Sequence, residues 1–353
     1  RHRFFRMYTT YQAGLHGMDQ SLQTAIGQRT TIDKQRFNRW TPYVGMELNY
    51  QNNSVNLSAN VKLNWLNWQL DKATEPEKDF LFYPETKLLF AYTLTGTSSV
   101  SMNYQNVKNL QDLRHVYDGN LFTSYRTIVN NASMPEADDV HRLSLRYNYN
   151  QPIKGMFFSL SVSGSHTDKH SAYVTSLKEG NVLLRSKKKA DYDAKMYLFN
   201  TRFSQSFNWW KSLLTLEASY IKSEDAQFSD ETLQEFCMDN YMASISLSAR
   251  PLSFLSFEWE SAWQENRMKS GFADSKVDQL KHRLDINFPI TNRFMLSMKN
   301  TVCQLLDVNE NSWFADFSAS YSHKKMEFRL AINNILGKPT YERETVSSIE
   351  RNY

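Results

Sequence analysis

Apolar and polar side chains alternate with a period of two along most of the chain. In residues 241–263, YMASISLSARPLSFLSFEWESAW, the apolar row runs Tyr241, Ala243, Ile245, Leu247 and Ala249, then Leu255, Phe257, Trp259 and Trp263. The facing row is Met242, Ser244, Ser246, Ser248 and Arg250, then Ser256, Glu258, Glu260 and Gln264. The same rhythm carries Val55 to Leu63, Leu143 to Tyr149, Phe158 to Gly164, Trp313 to Tyr321 and Met326 to Ile332. Side chains of a strand point alternately to its two faces, so the pattern predicts strands with one greasy and one polar side. Two environments ask for that. A soluble sandwich buries the greasy face against a second sheet. An outer-membrane barrel turns it to lipid and turns the polar face to a watery lumen.

The connections separate the two. Short turns are predicted at 51–54, 95–98, 151–155, 208–212, 250–253, 289–293 and 322–325. Between them lie long polar links at 15–36, 70–84, 107–140, about 170–191, 224–236, 268–277 and 305–312. Strict short–long alternation is the habit of membrane barrels. The alternation from Ala194 to Phe207 and from Ser253 to Met268 also outruns the roughly 5–6 residues of an ordinary globular strand. Aromatic residues gather at the short turns, with Trp209 and Trp210 inside one and Phe254, Trp259, Tyr92 and Phe288 near others. Such rings favour the headgroup region. The expected fold is therefore all-β, a transmembrane antiparallel β-barrel, with about sixteen strands in these 353 residues.

Composition narrows the picture. Nothing approaches the roughly 18 consecutive apolar residues of a membrane helix. Aromatics at 14% are abundant for a chain of mean hydropathy -0.59. The net charge of +4 is spread along the sequence, which gives no case for nucleic acid. Cys237 and Cys303 offer neither a disulfide framework nor metal-ligand spacing. The segment RHRFFRMYTTYQ reads as a strand rather than a signal peptide, so residues 1–353 are expected to be a fragment of a longer protein.

Two segments resemble TonB-dependent receptors. In FRLAINNILGKPTYER (328–343), Asn333, Asn334, Ile335, Leu336 and Tyr341 follow the strand-ending pattern of that family's penultimate strand. YDGNLFTSYR (117–126) is similar to an extracellular segment of its nutrient-uptake members, without the usual proline after the asparagine. The resemblance implies a barrel of about 22 strands around a plug. It implies uptake of an iron chelate, oligosaccharide or peptide, with TonB, outer-membrane lipid, lipopolysaccharide and a surface lipoprotein as partners. On that reading residues 1–353 form one barrel domain, with the plug, the TonB-binding box and the final strand outside them. SSIERNY (347–353) lacks alternation and is read as a loop. A passive porin or structural barrel is the alternative.

No catalytic, cofactor or metal residues emerge, substrate-binding residues remain unknown, and the chain is expected not to be an enzyme. His141, His166, His170, His282 and His323 stand singly; His166 and His170 have the spacing that pairs on a helix, which these strands are not. SKKKA (186–190) is a basic run that reads as a solvated loop edge, with phosphates or an acidic ligand as the functional alternative. The acidic stretches at 75–79 and 135–139 lack calcium-loop spacing. Tyr117, Phe122, Tyr125 and Tyr173 sit where loop aromatics either pack or stack on a ligand.

Overall fold

The computed structural model describes residues 5–25, 32–71, 76–110, 116–117, 119–124, 126–131, 137–178, 182–229, 232–271, 274–308, 310–323, 326–336, 345–346 and 351–352. Seventeen strands form one sheet, the wall of a transmembrane antiparallel β-barrel. They are β1 (Phe5–Ala25), β2 (Ile32–Asn52), β3 (Val55–Asp71), β4 (Glu77–Thr95), β5 (Ser98–Leu110), β6 (Asn120–Ser124) and β7 (Thr127–Asn130). Next come β8 (Ala137–Gln151), β9 (Met156–Lys178), β10 (Val182–Phe207), β11 (Ser212–Ser229) and β12 (Thr232–Leu252). The sheet ends with β13 (Leu255–Ser270), β14 (Asp274–Pro289), β15 (Phe294–Leu305), β16 (Glu310–His323) and β17 (Met326–Ile332). Each strand pairs antiparallel with the next, except that β5 pairs β8 across the small β6–β7 hairpin. Among the described residues β1 and β17 share no ladder, and the side chains of β17 are exposed along its length.

The registers confirm that the apolar rows line up from strand to strand. Leu247 sits opposite Leu214 and Trp259, and Trp259 opposite Leu284; the polar row sets Ser246 against Thr215 and Glu260. The outward rows of β9–β14 change character at one level. Past Gly164, Tyr197, Tyr220, Tyr241, Trp263 and Leu280 the next outward side chains are His166, Lys195, Lys222, Asp239, Glu265 and Asp278. The apolar stretch below that edge matches the roughly 9–11 residues a tilted strand needs to cross the hydrocarbon. An aromatic collar marks the edge: the Tyr220 hydroxyl donates to Asp239 at 2.7 Å and the Trp263 indole to Asp278 at 2.7 Å. Rings at that depth keep their bodies in apolar surroundings and their polar atoms in the headgroups. The sequence pointed to the girdle at the short turns; this second one lies at the opposite rim.

All seven short turns fall at one end of the strands, although 324–325 of the last lie outside the described residues. The 151–155 turn is a single 3-10 turn, Pro152–Lys154, closed by Gly155 at φ 60, whose N–H donates to the Pro152 carbonyl at 3.0 Å. A Cβ there would lie 1.7 Å from Ser206 Oγ. Gly155→Ala is expected to cost about 1–2 kcal/mol, the left-handed penalty for a side chain, read as a lower urea midpoint for the folded barrel. At the other rim Gly14 has a different task. The Tyr43 ring lies across it, stacks on His16 at a centroid distance of 5.0 Å and carries the Lys62 ammonium at 4.8 Å.

The long links are shorter than the sequence suggests. Apart from 107–140 they are mostly strand: β1 runs on to Ala25, β3 to Asp71, β9 to Lys178 and β11 to Ser229. Beyond the hydrocarbon both faces of a strand meet polar surroundings, so the two-residue rhythm fades while backbone pairing continues. In one sector the rhythm inverts. Phe37, Leu66, Trp68, Leu70 and Tyr83 point to the interior of β2–β4 and form a buried cluster, closed from above by Val116. The strand-ending pattern holds: β17 stops at Ile332, Asn334 adopts φ 51, and its N–H donates to Asp316 at 2.8 Å. Tyr341 lies outside the described residues. The segment read as a terminal loop differs, since Arg351–Asn352 pair with Thr345–Val346. Backbone groups of short polar segments still need partners, which a two-residue ladder supplies.

Candidate functional site

The interior of the wall is richest in chemistry where β9, β10 and β11 rise past the lipid edge. Below it the inner row is small and polar, with Ser159, Ser161, Ser163 and Ser165 on β9 and an Arg202–Glu217 ion pair at 3.2 Å between β10 and β11. Above it one extra residue is inserted in β10. The register passes from Tyr192 opposite Lys169 to Lys189 opposite Ser171, so Ala190 and Asp191 together face His170. A bulge of this kind shifts the alternation by one. Arg185, Lys187 and Lys189 thereby join the inner row of Lys169, Ser171 and Tyr173; without the insertion they would face outward with Asp193 and Lys195.

These side chains converge. The Lys169 ammonium bridges Asp225 at 2.8 Å and lies 5.6 Å from the Tyr192 ring centre. The Arg185 guanidinium covers the Tyr173 ring at 4.6 Å, with the Lys187 ammonium at 5.7 Å. Arg185 Nε is buried with no hydrogen-bond partner. Asp138 closes the lower side, and burial holds its carboxyl above the ordinary range, against the pull of Lys169 and Lys187. Together they line a cleft of about 640 Å³. The β6–β7 hairpin attaches to the strand that carries Arg185: β7 adds parallel to β10, Thr127–Asn130 beside Leu183–Ser186, and the Leu183 N–H donates to the Arg126 carbonyl at 2.7 Å. Two cations on one aromatic face, an unpaired guanidinium nitrogen and a half-enclosed cleft suit a ligand with a planar ring and an anionic group.

Of the residues that the sequence singled out, Tyr173 and the basic run at 186–190 belong to this cleft; the run is strand, not loop edge. Tyr117 is buried, 1% exposed, and packs as a structural residue. Tyr125 and the Phe122 side chain lie outside the described residues. His141 bonds the Tyr104 hydroxyl at 3.1 Å, His323 stacks on Tyr321, and His282 lies on the outward row between Leu280 and Leu284. His166 and His170 share a face but stand about 13 Å apart, four residues along a strand, so they hold no common ion. His166 instead meets Asp168 at 2.8 Å and Asp193 at 3.9 Å on the outward face. Lys169, Tyr192, Asp225 and Arg185 were not singled out, because the bulge that assembles them leaves no mark in the alternation.

No protein-family model matches the chain, and no curated protein is similar to it at a significant level. Solved structures similar in shape include a loop-deletion form of OmpT, an outer membrane protein of Vibrio cholerae, at 9% identity and TM-score 0.33, covering 89% of this chain and 99% of that one. The copper transporter OprC follows at 9% identity and TM-score 0.29, covering 90% of this chain and 65% of that one. The ferric-catecholate import receptor Fiu of Escherichia coli K12 matches at 8% identity and TM-score 0.25, covering 94% and 76%. This protein is an outer-membrane β-barrel. One expectation is corrected: the sequence was read as that of a non-enzyme, but the matched barrels are not confined to transporters, OmpT recurring among them, and the exclusion of catalysis is dropped.

Proposed function

We propose that the chain is the barrel domain of a TonB-dependent receptor that takes up a nutrient across the outer membrane. The observation that carries this reading is the inner cleft at the mouth, set above a serine-lined lumen, with the β6–β7 hairpin paired to the β10 strand that lines it. The strand-ending Asn333–Leu336 segment and strands that run well past the hydrocarbon support it. In this reading residues 1–353 form the wall, the plug and the TonB-binding box belong to sequence outside them, and the cleft captures the nutrient before the plug yields. A passive porin is the competing reading. The native full-length protein in a planar bilayer is expected to show no steady ohmic conductance, and uptake by cells is expected to require TonB and the proton gradient. A persistent open pore with gradient-independent uptake would place the porin reading first.

The reading also fixes orientation: short turns in the periplasm, strand extensions outside. In intact cells a membrane-impermeant maleimide is expected to label Ser124→Cys in the hairpin and to leave Trp210→Cys unlabelled. Labelling of position 210 alone would invert the topology.

A further inference from the structure

The lipid-facing side of the wall departs from apolar chemistry at one place, away from the cleft. Among the described residues, an imidazole and a carboxamide enter the outward rows between the lipid edge and the short turns only on two adjoining strands. They are His282 on β14 and Asn300 on β15. His282 stands one outward step below the collar position Leu280, in register with Ser261 on β13 and Val302 on β15. Asn300 follows Val302 in the same outward row, in register with Leu284, at the middle of its strand. The collar slips by two residues against the register between β10 and β11, and again between β12 and β13, which is the mark of strand tilt. Carried on to β15, the same slip sets Asn300 level with His282.

Neither side chain makes a hydrogen bond among the described residues. Acyl chains offer them no donor or acceptor, so both are costly in a lone barrel, and polar groups at such depth mark a contact. The hydroxyl of Thr201, on the outward row of β10, is different: it donates to the Ser159 carbonyl of its own wall at 3.4 Å. A second copy of this chain suits the pair. An imidazole and a carboxamide each carry a donor and an acceptor, so each answers the other. Two barrels inserted in the same sense can share a twofold axis only along the membrane normal. Because the two residues are level, that axis sets His282 against the partner's Asn300 and Asn300 against the partner's His282. Between Asp278 and the short turns the outward rows of β13–β16 carry no charged side chain, so a copy meets no repulsion. Ala315, the register partner of Asn300 on β16, is too small to cover the carboxamide, and Leu284, Met298 and Val302 surround it with apolar area.

We propose that the outward face of β13–β16 is the contact between two copies of this protein within the membrane, paired about a twofold axis by reciprocal His282–Asn300 hydrogen bonds. The contact does not depend on what the barrel carries, nor on which rim faces outward. In native outer membranes, with Cys237 and Cys303 changed to serine, Leu284→Cys is expected to react with a short bis-maleimide and give an adduct of twice the mass of the full-length protein. Leu160→Cys, on the distant outward row of β9, should give none. Förster transfer between donor- and acceptor-labelled full-length protein in liposomes, followed as added lipid dilutes it, measures the dimer dissociation constant. Replacing His282 and Asn300 together by leucine is expected to raise that constant about thirtyfold, the effect of losing two symmetry-related hydrogen bonds inside a membrane. Thr201→Leu should leave it unchanged. Leucine suits a lipid-facing position, so the double variant should fold, which a heat-dependent gel shift checks. Should it fail to fold, the Leu284→Cys adduct still decides. Absence of a dimer-mass adduct, an adduct with a different protein in its place, or an unchanged dissociation constant in the folded double variant would overturn the proposal.

Discussion

Leu247→Arg or Phe257→Arg is expected to destabilise the folded barrel by about 2–4 kcal/mol, whereas Ser246→Arg and Ser256→Arg are expected to be tolerated. Leu247 and Phe257 belong to one continuous outward row through Trp259 and Leu284, so a guanidinium there must enter hydrocarbon or drag its strand out of register. Ser246 and Ser256 face the lumen, opposite Glu260 and Asn287. Water reaches an arginine at either place, and Glu260 offers position 246 a counter-charge. Urea unfolding in liposomes, followed by the heat-dependent gel shift, measures all four. Comparable losses in both pairs would mean that neither face is aqueous.

The second large effect lies in the buried cluster above the lipid edge. Phe37 and Leu70 are cross-strand partners, 1% and 0% exposed, and Phe37 packs on Trp68 at a ring distance of 6.3 Å. Phe37→Ala is expected to cost about 3–5 kcal/mol and Leu70→Ala about 2–5 kcal/mol, the usual range for truncating a fully buried side chain. The loss should be local, because the hydrocarbon-spanning parts of β2–β4 hold none of this cluster. Val116, which covers it, should then open with the 107–140 segment. Protease cleavage within that segment is expected to rise by about a hundredfold, while the gel shift of the barrel persists. Loss of the gel shift instead would show that the cluster and the spanning wall unfold as one unit.

These two effects also separate what the sequence made legible from what it did not. Inside the hydrocarbon each side chain has one of two solvents, and strict alternation follows; Val55–Leu63 and Phe158–Gly164 could be read as strands with faces assigned. The short turns were equally legible, since Asn, Gly and Pro mark them. Above the lipid edge the rule lapses. Lys169 and Asp225 are adjacent only because three strands bring together residues 56 positions apart. Arg185 faces inward only because one residue is inserted at Ala190–Asp191. Neither event changes local composition, so the basic run 186–190 was visible and its aim was not. The inward cluster of Phe37 and Leu70 was hidden at the borders of links that read as polar, because its members are scattered among Arg36, Arg39, Gln69 and Asp71.

The claim on which everything else stands is that odd residues from 241 to 249 look at lipid and even residues at water. Single cysteines placed in turn at 243 to 248, with Cys237 and Cys303 changed to serine, can carry a small fluorophore in liposomes that contain brominated lipid. Quenching by the bromine is expected at 243, 245 and 247, and quenching by aqueous iodide at 244, 246 and 248. Equal quenching along the strand, or an odd row shielded from both quenchers as in a soluble core, would contradict it.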